Sequence, residues 1–392
     1  MIRRSLPTQI VVLGWVSLLM DIASDVIQSL LPLYLTASLG ASALVVGIIF
    51  GVSDATAALV KIVSGTFSDW LGRRKPLLLV GYGLAALAKP LFPLSTGVGQ
   101  VFVAHFIDRI GKGIRGAPRD ALIADLTAPD QRGAAYGLRQ SMDTVGAVLG
   151  PLIAVALMAL SGDNVRATFW FAVLPATLCV LLIVWLVHDS PTTGMQHKEH
   201  PSARRIAADI AANLQRLPRK LWLIIAFAAL LALARFSDAF LILRGQSLGL
   251  AIAWTPGLLA LMSAAYAASA FPCGRLFDQG WHRSLLAAGI IFLIAADLVL
   301  ALGDSIASAF VGAALWGMHM GATQGVLAAM VAEAAPTDLR ATAFGCFNFA
   351  SGIALLAASV MAGALWATLG PAATFLASAV IATLVLPALL HR

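Results

Sequence analysis

The sequence has 392 residues, of which 60% are hydrophobic and only 11% are charged, and its formal net charge is +7. Soluble domains carry about 25% charged residues, so this composition excludes an ordinary soluble protein and favours a chain that crosses a membrane repeatedly. Basic cytoplasmic loops account for the positive charge, so the charge does not require a nucleic-acid partner.

About twenty apolar residues make one membrane crossing. Breaks at glycine, proline and charge clusters divide the chain into spans one to twelve. The first six are predicted at 10–36, 43–68, 76–95, 100–126, 133–160 and 166–187. The last six are predicted at 220–246, 253–277, 283–302, 305–332, 341–367 and 370–390. The expected fold class is an all-α polytopic membrane protein, with twelve transmembrane helices in two six-helix, pseudo-symmetric bundles.

The two bundles are expected at 1–187 and 220–392, with the polar segment 188–219 as a cytoplasmic linker between them. An amphipathic helix on the membrane surface is one form that this linker could take. Lys and Arg are absent from alternate connections, near 37–42, 96–99, 247–252 and 303–305. This alternation predicts a multi-pass protein with both termini in the cytoplasm, and we expect it in a bacterial inner membrane.

The two halves repeat one another. Gly65 to Arg74 corresponds to the segment from Gly274 to Arg283, at an offset of 209 residues. A second correspondence joins Arg132 to Arg340 at an offset of 208. Duplication of a six-span unit explains both offsets, and secondary carriers built this way bind their substrate between the halves.

Span four contains the most unusual stretch of the chain. It has four cations and two carboxylates among apolar residues, namely Asp108, Arg109, Lys112, Arg115, Arg119 and Asp120. Each charge at bilayer depth costs about 2.5–3.5 kcal/mol, so such charges persist only where they pair, face water or perform a function. The alternative is a cytoplasmic loop with solvated charges, which Pro118 and three nearby glycines would suit.

Further polar residues are predicted inside other spans. They are Asp21, Asp25 and Gln28 in span one, Asp54 and Lys61 in span two, Lys89 in span three, Arg139 and Asp143 in span five, Arg235 and Asp238 in span seven, and His319 and Gln324 in span ten. Arg139 and Asp143 have the i, i+4 spacing of an ion pair on one helix face. Structural ion bridges between packed helices are the alternative to a functional role for these pairs.

Three motifs resemble the major facilitator superfamily. The first is Gly65-x-x-x-Asp69-x-x-Gly72-Arg73-Arg74, which is similar to the loop motif between spans two and three, although Trp70 stands where the family usually has Arg. The second, Arg109-x-x-x-Gly113, resembles the arginine motif of proton-coupled members. The third, Gly146-x-x-x-Gly150-Pro151, resembles the motif of antiporters. The block around span four resembles a bacterial branch described only as predicted efflux permeases.

The resemblance implies a secondary transporter that works by alternating access, with no enzymatic activity and no cofactor. Together with the excess of cations in span four, it favours proton-coupled export of a small polar or anionic compound. We expect the protein to be a monomer in the lipid bilayer. Proton- or sodium-driven uptake of an organic anion, facilitated diffusion and a non-transporting receptor are the alternatives. Metal efflux through His105, Asp108, His319 and Met320 is a further one, although these residues lack metal-ligand spacing and we predict no metal site.

The predicted site residues fall into three groups. Substrate binding is assigned to Arg109, Lys112, Arg115, Arg119, Arg139, Arg235, His319 and Gln324. Proton coupling is assigned to Asp25 first, then to Asp21, Asp143 and Asp108. A conformational latch is assigned to Gly65, Asp69, Arg73, Arg74, Asp125, Arg132, Gly146, Gly150 and Pro151.

Overall fold

The structure is a computed structural model that describes residues 6–71, 73–128, 131–189, 214–336 and 339–389. Over these residues the chain is almost entirely helical and contains no strand. The predicted fold class is confirmed, with a helical span at each of the twelve expected places. Most of the predicted linker, 190–213, lies outside the described residues, and so does the amphipathic helix predicted there.

The helices have the following bounds. Spans one to six are Thr8–Gln28 with Leu31–Leu33 and a π-helix at Tyr34–Ser38, Ala43–Leu71, Lys75–Ala88 with Leu91–Leu94, Val98–Leu126, Arg132–Ser161, and Val165–Phe171 with Val173–Leu186. Spans seven to twelve are Arg219–Ala234 with Ala239–Ser247, Ile252–Trp254 with Pro256–Asp278, His282–Leu302, Ile306–Ala334, Arg340–Leu369, and Pro371–Val385 with Leu386–Leu389.

Span four is one uninterrupted helix, so the loop alternative for its charged stretch is wrong. Nine helical runs in the described part of the chain are long and apolar enough to cross a membrane. Span four is not one of those nine, because its charges lower its hydropathy. Helix formation therefore prevails over Pro118 and the glycines, and the charges must find their compensation inside the helical packing.

Span seven is interrupted within its predicted bounds. Its helix stops at Ala234 and resumes at Ala239, which leaves Arg235 to Asp238 without helical structure. Serine side chains support this interruption, since the Ser237 amide donates to the Ser359 hydroxyl at 3.2 Å. The interruption places an arginine and an aspartate in the middle of the span, where their backbone groups need partners from neighbouring helices.

Contacts divide the chain into two units. Unit 1 comprises Met1–Ala41, Val52–Met195 and Ala251–Ala260, and unit 2 comprises Ser42–Gly51, Gln196–Leu250 and Leu261–Arg392. In unit 1, span one packs against spans five and six, and span three packs against spans four and six. In unit 2, span nine packs against spans ten and twelve, and span seven packs against spans eleven and twelve.

The sequence repeat occupies equivalent helix ends in the two units. Gly65 lies near the end of span two and Gly274 near the end of span eight. Arg132 is the first residue of span five, and Arg340 is the first residue of span eleven. These matching positions agree with the duplication of one six-span unit.

Glycines of span five allow a close approach to the helix turn that carries Asp21 and Asp25. A Cβ added to Gly146 would lie 2.9 Å from the Asp21 Cβ, and one added to Gly150 would lie 2.7 Å from the Asp25 Cβ. Real Cβ atoms do not approach so closely, so the small residues are required where span five crosses span one. The Gly146–Gly150 pair therefore sets the surroundings of both span-one carboxylates.

We expect Gly150→Ala to destabilise the protein by about 1–3 kcal/mol, because the added methyl group overpacks the contact with Asp25. Gly137→Ala is the matched control in the same helix, since a Cβ there meets no atom within 4 Å. Thermal unfolding in detergent measures both variants. Equal midpoints for the two variants would contradict the close-approach role of Gly150.

Candidate functional site

A cavity of about 330 Å³ lies among the charged residues of unit 1. It is lined by Asp21, Ala57, Ala58, Lys61, Lys112, Arg115, Gly116, Arg119, Arg139 and Asp143. Five of these side chains are cationic and two are carboxylates, so the lining has a large excess of positive charge. Spans one, two, four and five each contribute side chains to the lining. The cavity therefore gathers more charged groups than any one of these spans supplies.

Two of the five cations are compensated by carboxylates. Arg139 Nη2 lies 2.6 Å from Asp143 Oδ2, which confirms the predicted i, i+4 pair. Arg119 Nη1 lies 3.7 Å from Asp143 Oδ1, and Arg119 also donates to the Ser17 hydroxyl at 2.9 Å. Asp120 completes the network from outside the lining, 3.5 Å from Arg119 and 3.8 Å from Arg139.

The other three cations, Lys61, Lys112 and Arg115, form no ion pair within the described part of the chain. The Arg115 side chain is only 4% exposed, and its guanidinium stacks over the Tyr82 ring at 4.8 Å. Its Nη1 atom is buried and has no hydrogen-bond partner among the described atoms. Since an unsatisfied buried cation is costly, Arg115 is the cation in greatest need of an anionic partner.

Glycines in spans three and four allow close packing beside these cations. A Cβ at Gly116 would lie 3.3 Å from the Lys61 side chain, which runs along the helix at that point. A Cβ at Gly81 of span three would lie 2.7 Å from the Arg115 backbone nitrogen. Spans two and three can therefore approach span four closely beside its charges.

The predicted carboxylates occupy different surroundings. Asp21 is half-buried and lines the cavity with the unpaired cations. Asp25 lies one turn further along span one, against Gly150 and outside the lining. Of the two span-one carboxylates, Asp21 is the one that shares a cavity with Lys112 and Arg115.

A second charged group of span four is packed away from this cavity. Lys89 Nζ lies 2.7 Å from Asp108 Oδ1 and 3.0 Å from the Ser24 hydroxyl, and both charged side chains are almost fully buried. Arg109 Nε lies 3.8 Å from Asp108, and Arg109 Nη1 lies 4.0 Å from Asp54. The charges that look uniform along span four therefore divide into a buried ion-pair group and a cavity-facing group.

Unit 2 contains its own polar cavity, of about 290 Å³. It brings together three predicted residues, Arg235, His319 and Gln324. It also exposes Thr323, Asn348 and Ser351, which the sequence analysis missed although the last two lie three residues apart on span eleven. His319 is buried, and its Nδ1 lies 2.8 Å from the Gly289 carbonyl oxygen. This cavity offers several hydrogen-bonding groups and a single cation among its lining residues.

The predicted latch residues have contacts within unit 1. Arg74 Nη1 donates to the Ser68 hydroxyl at 2.7 Å, and its Nε lies 3.4 Å from Asp125. A residue missed by the sequence analysis, Asp189, accepts bonds from the backbone amides of Arg74 and Lys75 at 2.8 and 2.7 Å. The side chain of Asp69 and all of Gly72 lie outside the described residues.

Metal-ligand geometry is not found in the described ranges, where no three His, Cys, Asp or Glu side chains converge. The arrangement in unit 1 instead suits an anion, because lysine and arginine are its charged donors and one of its two lining carboxylates, Asp143, is already paired.

We expect Lys89→Met to cost about 3 kcal/mol of folding stability, because removing one partner of a buried ion pair leaves Asp108 uncompensated. The double variant Lys89→Met/Asp108→Asn should recover part of that loss. Lys220→Met, at an exposed position, is the control with the same substitution. A loss of equal size for Lys89→Met and Lys220→Met would show that the pair contributes nothing.

Comparison with known proteins gives a consistent result. The family model of the Major Facilitator Superfamily matches residues 13–354. An uncharacterized MFS-type transporter of Methanocaldococcus jannaschii is 30% identical over 97% of this chain and 93% of its own length. The inner membrane transport protein YajR of Escherichia coli is 29% identical over 46% of this chain and 38% of its own length.

Solved structures share the fold at low identity. The nucleoside transporter NupG superposes with a TM-score of 0.78 at 13% identity, over 98% of this chain and 98% of its own. The human organic anion transporter MFSD10 superposes with a TM-score of 0.66 at 18% identity, over 97% of this chain and 98% of its own.

Proposed function

The chain belongs to the major facilitator superfamily and is a multi-pass membrane transporter, and from that premise we propose that it carries a small organic anion in a proton-coupled cycle. The observation that carries the proposal is the unit 1 cavity, where Lys61, Lys112 and Arg115 face the same space without ion pairs in the described structure. A bound carboxylate or other anionic group would supply an opposite charge for these three cations.

The size of the cavity limits the substrate to a small compound. Ligand pockets commonly measure about 300–1,000 Å³, and the unit 1 cavity lies at the lower end of that range. We assign recognition of the anionic group to this cavity, while the predicted residues Arg235, His319 and Gln324 line the cavity of unit 2.

Asp21 supports coupling of the anion to a proton. In its charged form, Asp21 competes with an anion for the fields of Lys112 and Arg115, which line the same cavity. A proton on Asp21 removes that competition and so strengthens anion binding. Proton and anion would then bind together, which favours co-transport down the proton gradient.

Proton-driven export is the second candidate. The Gly146-x-x-x-Gly150-Pro151 segment favours it, because this antiporter-like motif packs directly on the turn that carries Asp21 and Asp25. Export requires the opposite linkage, in which binding of the proton weakens binding of the substrate. Asp25, set apart from the cavity cations, is the coupling residue that we assign under this alternative.

The positive-inside pattern supports cytoplasmic placement of both termini in a bacterial inner membrane. The latch assigned to Asp69, Arg73 and Arg74, with Asp125 and Arg132, stays a prediction, as does the monomeric state. A shift in cysteine accessibility on the two membrane faces after Asp69→Asn is the measurement that tests the latch.

We expect Arg115→Ala and Lys112→Ala each to weaken anion binding about 10- to 100-fold, because a charge-assisted hydrogen bond contributes about 1.5–3 kcal/mol. Binding of a panel of small sulfonates and dicarboxylates to the purified protein measures this effect. Arg219→Ala removes an exposed cation at the start of span seven and is the control. Unchanged affinity in both cavity variants across the panel would sink the anion assignment.

The pH dependence of sulfonate binding separates the two couplings, because a sulfonate stays anionic over the working range. Under co-transport, lowering the pH should tighten binding in the wild type, and Asp21→Asn should bind tightly at every pH. Under export, lowering the pH should weaken binding, and Asp25→Asn should remove that dependence. Under co-transport, Asp21→Asn should lose accumulation driven by a pH gradient. Under export, Asp25→Asn should lose it.

A further inference from the structure

Asp297 is a fully buried acid in span nine that the motifs do not involve and that the sequence analysis overlooked. Its exposed fraction is 0%, and no cation pairs with it among the described side chains. It lies in unit 2, whose cavity lining does not include it. A charged carboxylate in such a place would be costly in a membrane protein. The hydrogen-bond partners of Asp297 therefore determine whether it is a carboxylate or a neutral acid.

A single hydroxyl group connects Asp297 to the interruption of span seven. Ser378 Oγ of span twelve lies 2.5 Å from Asp297 Oδ2. The same Oγ contacts the carbonyl oxygen of Ala234, the last residue before the interruption. The end of a helix leaves carbonyl groups without intrahelical partners, so Ser378 supplies the partner that this one needs.

The number of hydrogens available determines the protonation state. A serine hydroxyl carries one hydrogen, and the Ala234 carbonyl can only accept. If Asp297 were a carboxylate, its Oδ2 and the Ala234 oxygen would both be acceptors for the single hydrogen of Ser378. One of these two close oxygen–oxygen contacts would then have no hydrogen between the oxygens. A carboxylic acid resolves this, because Oδ2–H donates to Ser378 Oγ and Ser378 donates to the Ala234 oxygen.

The second oxygen of the acid agrees with this arrangement. Asp297 Oδ1 is buried and has no hydrogen-bond partner among the described atoms. An unpaired oxygen of a neutral acid costs far less than an unpaired oxygen of a carboxylate. We therefore infer that Asp297 is a neutral carboxylic acid and forms a proton-binding site of unit 2, linked through Ser378 to the interruption of span seven.

The charged and titratable groups of the surrounding helices leave Asp297 without a competing partner. Span twelve has none in Pro371–Val385. The nearest on span nine are His282 and Arg283, fourteen or more residues away and so about 20 Å along the helix. His319 of span ten contacts Gly289, two turns before Asp297, and Arg235 follows Ala234 in span seven. Arg244 of span seven also reaches span nine, but its guanidinium donates to the carbonyl oxygens of Leu300 and Gly303, both at 2.7 Å.

The site has a structural consequence for the unit 2 cavity. Loss of the proton would leave Ser378 with two acceptors and one hydrogen, so the bridge to Ala234 or to Asp297 would break. The freed backbone lies next to Arg235, which lines the unit 2 cavity. Protonation of Asp297 and the position of Arg235 are therefore linked through one serine.

Infrared spectra of the full-length protein in detergent, compared between the wild type and single variants, test the inference directly. The wild type should show a carboxylic-acid C=O stretching band that is lost in Asp297→Asn. Asp304→Asn, the same substitution at an exposed position of unit 2, should keep the band. An Asp297→Asn spectrum that matches the wild type in this region overturns the inference.

Ser378→Ala keeps the test decisive if Asp297→Asn does not fold. Removal of the hydroxyl takes away the acceptor of the acid proton, so the band should move to higher frequency, whereas an unmoved band counts against the site. Because this readout involves no anion and no transport, its failure is distinguishable from failure of the proposed function. Likewise, loss of sulfonate binding in the Arg115 variant leaves the Asp297 band unaffected.

Discussion

The cost of charge in a membrane interior is the constraint on which this structure depends. Every ionised side chain of unit 1 must find an opposite charge, a hydrogen bond or water, and the packing of spans one to five supplies these. Lys89 and Asp108 satisfy the constraint by direct pairing out of contact with the cavity. Arg119, Arg139 and Asp143 satisfy it as a network in the lining of the cavity. Lys61, Lys112 and Arg115 line the cavity without an ion pair among the described side chains, and they are the charges that we propose for binding an anion.

Small residues set how closely the charged helices approach one another. Gly146 and Gly150 bring span five against the Asp21–Asp25 turn, and Gly81 brings span three against Arg115. At these crossing points no glycine side chain separates the helices, so the charged residues lie directly against a neighbouring span.

The two units have diverged from a common plan. They share helix ends at equivalent repeat positions, yet unit 1 concentrates ionised groups and unit 2 relies on hydroxyl, amide and imidazole groups. In unit 2 the interruption of span seven lies beside the polar cavity, and serines support it. An interrupted helix exposes backbone polar groups at membrane depth, and these create sites that a continuous helix cannot offer.

Much of the fold follows from the sequence alone, because hydrophobic length, helix-breaking residues and repeated loop motifs are local properties. They predicted the twelve spans, and the i, i+4 spacing predicted the Arg139–Asp143 pair. Only the tertiary structure decided which charges neutralise one another, since Lys89 and Asp108 come from different spans, as do Arg119 and Asp143. It also separated Asp108 from the cavity-facing cations of the same helix. Asp297 shows the limit most clearly. Its surroundings are made by residues about 60 and 80 positions away, Ala234 and Ser378, and no local pattern joins three helices through one hydroxyl.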